Sequence, residues 1–134
     1  MSKYKLEIKT PPRNNQAAFN RVWRRMVVKK YPRCTGKYSC LYRRKDGNAC
    51  ALGYMMPARL FKDNQETAIS SLLGNSKPVR NWFKRVSFDM LKAMQCIHDD
   101  ASYALAEEPA KYFAQAEVKL RKIAKLYHLK VPKR

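Results

Sequence analysis

The side chains able to do chemistry gather in two places. Cys34, Cys40 and Cys50 share one stretch, and Cys96, His98, Asp99 and Asp100 lie together far downstream. Thiolates and an imidazole are ligands that zinc prefers. A structural zinc site, however, usually draws two thiolates from a C-x2–4-C turn, which aims both at one ion. The spacing here is Cys34-x5-Cys40-x9-Cys50, with no such pair. Buried thiols are the expected state, in which Cys40 and Cys50 pack as small apolar groups across a hairpin. His98-Asp99-Asp100 carries groups that metal-dependent hydrolysis uses, but such a centre needs further ligands, and the only other histidine is His128. Serine, cysteine or paired-carboxylate catalysis needs a base that these histidines hardly supply. The plainer assignment for His98 is a helix end, where the dipole favours it. Neither a Walker loop nor a dinucleotide fingerprint occurs among only four glycines. The expectation is a protein that is not an enzyme, with no metal, no cofactor and no catalytic residues.

Charge is the stronger signal. There are 29 Lys and Arg against 10 Asp and Glu, a net +19. Residues 1–45 carry 14 basic residues and one acid, Glu7; residues 46–110 come to −1; residues 111–134 carry eight basic residues and only Glu117. Nearly all the excess therefore sits in the two end portions. Charge serving solubility alone has no reason to be divided in this way. Self-repulsion of this size also destabilises a compact chain unless a polyanion neutralises it. The residues expected to meet phosphates are Arg21, Arg24, Arg25 and Lys29 on one helix, Arg43, Arg44 and Lys45 at a hairpin tip, and Lys119, Lys122 and Lys125 on the last helix. Tyr42 is placed to stack on an unpaired base. For any single cation, a solvated surface position is the simpler explanation; the pattern as a whole carries the expectation. No helix-turn-helix, RNP or zinc-finger signature points to base reading.

Several elements must position these groups. Residues 4–9 alternate polar and apolar and are expected to form an edge strand, which Pro11-Pro12 ends. Asn14 or Asn15 caps a helix to about Lys30, with Phe19, Val22, Trp23, Met26 and Val27 on one stripe. Residues 38–43 and 49–54 flank Asp46-Gly47 and are expected to form a β-hairpin, since that turn needs positive φ. Short helical pieces follow Pro57 and Asp63-Asn64. Pro78 opens a turn carrying Val79, Trp82, Phe83 and Val86. Ser87 caps a helix with Asp89 in its first turn, which Asp99-Asp100 interrupts. Pro109 begins the last helix, where Phe113, Ala116, Leu120, Ile123 and Tyr127 form a seam fit for a core or a dimer. Residues 131–134 form a basic tail that stays loose until a partner orders it. The opening Met-Ser-Lys-Tyr-Lys is not followed by an apolar signal region, and no apolar run approaches the about 18 residues of a membrane span.

Cys40-Leu41-Tyr42-Arg43, Asp46-Gly47, Cys50-Ala51-Leu52-Gly53 and Pro57, with residues 91–99 (LKAMQCIHD) downstream, resemble a motif of small tailed-phage proteins of unassigned function. Their pattern runs C-x-Y-R, D-G-x-x-C-A-x-G-C and later I-H-D. This chain has Tyr54 where they tend to have a further cysteine. The resemblance implies phage origin and transfers no activity.

The expected fold is a single α+β domain over residues 1–134, with short basic N- and C-terminal extensions. Its hairpin, joined by the N-terminal strand into three strands or standing alone, packs on several helices. The expected function is non-enzymatic, largely sequence-independent nucleic-acid binding (DNA or RNA) in the host cytoplasm. The alternative is docking on an acidic surface of a host or virion protein. No membrane partner is expected, and the oligomeric state is open.

Overall fold

The computed structural model describes residues 10–30, 55–56, 60, 76–104 and 109–133. Four α-helices account for most of them: α1 (Asn15–Trp23), α2 (Lys77–Trp82), α3 (Phe88–Ala104) and α4 (Pro109–Leu126). Helix α1 runs directly into a π-helical turn, Arg24–Val28. Among the described residues there is no strand, so the α+β expectation is corrected: what packs here is helix on helix. Among the described residues the apolar stripes of four helices close on one another. The strand at residues 4–9, the hairpin around Asp46-Gly47, most of the piece after Pro57 and the piece after Asp63-Asn64 lie outside the described residues.

Side-chain caps fix the helix starts. The Asn14 backbone is extended, and its Oδ1 accepts from the Ala17 N–H at 2.8 Å. A cap of this kind is worth about 1 kcal/mol. The neighbouring Asn15 has a different partner: its Oδ1 accepts from the Ser87 N–H at 2.7 Å. Ser87 in turn caps α3, its Oγ accepting from the Met90 N–H at 3.2 Å. The starts of α1 and α3 are thus locked together by consecutive asparagine and serine caps. Ser76 Oγ caps α2 through Val79, and Pro78 occupies its first turn, where a missing N–H costs nothing.

The core runs through all four helices. Phe19, Val22, Trp23, Met26 and Val27 are buried as the stripe predicts, with Phe19 and Trp23 stacked at 6.0 Å between centroids. Val79, Trp82, Phe83 and Val86 join them, as do Met90, Leu91, Met94 and Ile97 from α3. Helix α4 adds Ala116, Leu120, Ile123 and Ala124, with Phe113 and Tyr127 partly buried against the same cluster. Each fully buried Phe, Leu or Met stabilises by about 2 kcal/mol before chain entropy is counted. The α4 seam therefore serves the interior of the chain: it packs on α3 and on the π-turn, and is not left for a dimer. Met55 and Met56 are also buried, and the Met55 carbonyl accepts from the Trp82 Nε1–H at 2.8 Å.

Two stretches depart from expectation. Helix α3 does not stop at Asp99-Asp100 but continues to Ala104. Aspartate in a helix interior costs only about 0.7 kcal/mol relative to alanine, too little to end a helix whose earlier turns are anchored in the core. His98 is accordingly mid-helix and not at a helix end. The C-terminal segment is also not a loose tail. Helix α4 ends with His128 at φ 57. The His128 N–H bonds back to Lys125 O at 3.3 Å, and the Leu129 N–H to Ala124 O at 2.7 Å. This pair of bonds is a Schellman motif, and its apolar partner is Leu129, which packs on the core together with Val131.

Candidate nucleic-acid interface

The described residues form an open groove of about 710 Å³ where the segment before α1 meets the turn after α2. Arg13 and Arg21 line it from the N-terminal side, and Lys84 and Arg85 from the turn that follows α2. Among the described residues no acidic side chain lines it. Pro12 and Trp82, both buried, supply apolar wall. The indole is held by its bond to Met55 O, and only 8% of Trp82 is exposed. It therefore bounds the groove without offering a face for a base to stack on. Arg21 Nη1 donates to Thr10 O at 2.8 Å, which fixes the guanidinium beside the groove and pins the extended segment to α1. Arg13, Lys84 and Arg85 are exposed and form no ion pair among the described residues.

A second basic surface lies on α4. Lys111, Lys119, Lys122 and Lys125 are all exposed, on the side opposite Ala116, Leu120 and Ile123. At 3.6 residues per turn these positions fall within one broad arc. Val118 and Leu126 lie in the same arc and are 54% and 71% exposed. Arg121 stands at its flank, paired with Glu117 at 3.0 Å, and its Cζ lies 5.2 Å from the Trp23 ring centroid. That contact closes the solvent side of Trp23, whose Nε1–H is buried without an acceptor among the described residues.

The expected phosphate-binding residues are distributed unevenly over these surfaces. Arg21 lines the groove, Arg24 is exposed, and Lys119, Lys122 and Lys125 form the α4 face. Lys29 is half-buried where the π-turn ends. Arg25 is a correction: it is fully buried and cannot reach a phosphate outside. Helix α1 is enclosed over a wider arc than one stripe, and Arg25 follows the buried Ala18 and Val22 at seven and three residues, on the same side. Tyr42, Arg43, Arg44 and Lys45 lie outside the described residues, as do Cys34, Cys40 and Cys50; Cys96 is exposed on α3.

Arg13, Lys84 and Arg85 were not expected. Their signal was present: Lys77, Arg80, Lys84 and Arg85 fall within nine consecutive residues that contain no acid. The near-neutral sum over residues 46–110 conceals that cluster. Among the described residues no helix is long and apolar enough to cross a membrane. Comparison of the chain with family models, curated proteins and solved structures finds no match.

Proposed function

We propose that this chain is a non-enzymatic, phage-encoded protein that binds nucleic acid through phosphates, largely without regard to sequence, in the host cytoplasm. The observation that carries the proposal is the groove whose charged lining is Arg13, Arg21, Lys84 and Arg85 with no carboxylate among them. Like charges gathered on one surface raise one another's energy, and a polyanion relieves that cost while releasing its own counterions. The α4 lysine face is a second basic surface that supports the same reading. The phage origin rests on the motif shared around Cys40 and Cys50.

The test is an anisotropy titration of the full chain with labelled nucleic acid across a range of salt. The affinity is expected to fall linearly on logarithmic axes as salt rises. Absence of binding at low salt, or binding with no salt slope, overturns the proposal.

One observation favours a second proposal, an acidic protein partner. Val118 and Leu126 stand exposed among the α4 lysines, and apolar side chains within a charged rim suit a protein surface better than a phosphate backbone. A pull-down from nuclease-treated lysate separates the two: a defined acidic protein retained after nuclease supports docking, whereas loss of all captured material supports nucleic acid.

A further inference from the structure

Resting on the nucleic-acid proposal, we infer that the groove between Arg13, Arg21, Lys84 and Arg85 is a site for a single strand, gripped by consecutive phosphates, and that duplex binds elsewhere on the chain. Three features support this. The first is size. At about 710 Å³ the recess falls in the range that takes one small organic molecule, about 300–1,000 Å³, which corresponds to one or two nucleotides. A duplex is a stiff rod that can only lie across the mouth of a recess of this size and cannot follow it inward. A single strand bends freely enough to do so.

The second feature is chemistry. The cations come from two segments more than 60 residues apart, Arg13 and Arg21 on one side, Lys84 and Arg85 on the other. A strand passing between them meets charge from both. The exposed guanidinium groups of Arg13 and Arg85 can fork onto phosphate oxygens, while Arg21, held by Thr10 O, adds its charge. The aromatic part of the wall offers no stacking face, since Trp82 is nearly covered and its N–H is used by Met55, and charged groups outnumber the polar ones, Thr10 and Asn81. Recognition there is of backbone, and the bases point away.

The third feature is rigidity. Arg21 is tied to Thr10 O, and Asn15 Oδ1 is tied to the Ser87 N–H just beyond Val86. The second bond joins the two segments and the first holds the N-terminal one against α1, so the backbone of the groove is set before any ligand arrives and only exposed side chains remain to be ordered.

The experiment uses the full chain and two probes of one sequence, a labelled single strand of about 12 nucleotides and the corresponding blunt duplex. The groove variant combines Arg13→Ala, Lys84→Ala and Arg85→Ala; all three residues are exposed, and circular dichroism checks that the variant folds. The comparison variant combines Lys119→Ala, Lys122→Ala and Lys125→Ala. The groove variant is expected to lose about tenfold or more in single-strand affinity and about 2 in salt slope, with duplex affinity within about twofold of the parent chain. The α4 variant is expected to weaken both probes. Equal weakening of both probes by the groove variant, or an unchanged single-strand affinity, overturns the inference while leaving nucleic-acid binding standing. Parent chain that binds neither probe overturns the nucleic-acid proposal itself.

Discussion

Gln16 and Lys130 hold each other through two hydrogen bonds. The Gln16 Nε2 donates to the Lys130 carbonyl at 2.8 Å, and the Lys130 N–H donates to Gln16 Oε1 at 2.8 Å. A side-chain amide here matches both backbone groups of one residue, as a neighbouring strand would. The segment beyond the Schellman turn is thereby fastened along α1, with Leu129 and Val131 turned to the core on either side of Lys130.

Gln16→Ala is expected to lower stability by about 1–2 kcal/mol, because the two hydrogen bonds to Lys130 and the exposed one to Asn20 Oδ1 are lost together. Amide exchange at Lys130 should accelerate while exchange in the middle of α3 follows global unfolding alone. An unchanged rate at Lys130 would show that the clip contributes nothing.

The two asparagines at the start of α1 are expected to separate by partner. Asn14→Ala removes the local cap and should cost about 1 kcal/mol in urea unfolding. Asn15→Ala leaves that cap intact but strips the acceptor from the Ser87 N–H, which should cost about the same and also loosen the start of α3. Exchange at Ser87 measured in each variant distinguishes them: it should rise in Asn15→Ala well beyond its rise in Asn14→Ala.

Adjacent arginines should behave oppositely. Arg25→Ala is expected to destabilise by several kcal/mol, since it empties a fully enclosed site. Arg24→Ala, on the exposed side, should stay within about 1 kcal/mol of the parent and instead weaken nucleic-acid binding at low salt. Comparable melting temperatures for the two variants would contradict the burial of Arg25.

His128 occupies the left-handed position at the end of α4, φ 57, where a Cβ atom is unfavourable. His128→Gly is expected to stabilise by about 0.5–1 kcal/mol, the steric relief being partly offset by the greater freedom of glycine in the unfolded chain. A loss of stability in thermal denaturation would mean that the imidazole makes contacts outweighing the strain.

Local signals in the sequence carried a good part of the structure. The Phe19–Val27 stripe, the Ser87 cap with Asp89 behind it, and Pro109 at the start of α4 each depend on neighbours within one or two turns, and each is found as expected. Signals that depend on distant packing were not legible. Arg25 reads as surface until the whole circumference of α1 is known. Asp99-Asp100 reads as a helix end until the anchoring of α3 is weighed against it. No glycine marks the turn at His128, so residues 131–134 read as free. Helix-on-helix packing is not legible from the stripes alone, because an apolar stripe fits a sheet as well as another helix, and the hairpin around Asp46-Gly47 lies outside the described residues. The groove was half legible: Arg21 was chosen, but Arg13, Lys84 and Arg85 come together only in the fold.

The π-turn at Arg24–Val28 has a consequence for chain length. The Lys29 N–H reaches Arg24 O at 2.8 Å, five residues back, so this turn carries one residue more than an α-helical turn needs. Removing a residue from an ordinary helix rotates everything beyond it by about 100° and pulls the buried side chains out of register. Here Val28, half exposed at 49%, is a residue the helix can lose by tightening to the ordinary pitch. Loss of Val28 should therefore be survivable where a deletion in the middle of α3 or α4 is not, because the buried Met26 and Val27 precede it and keep their places.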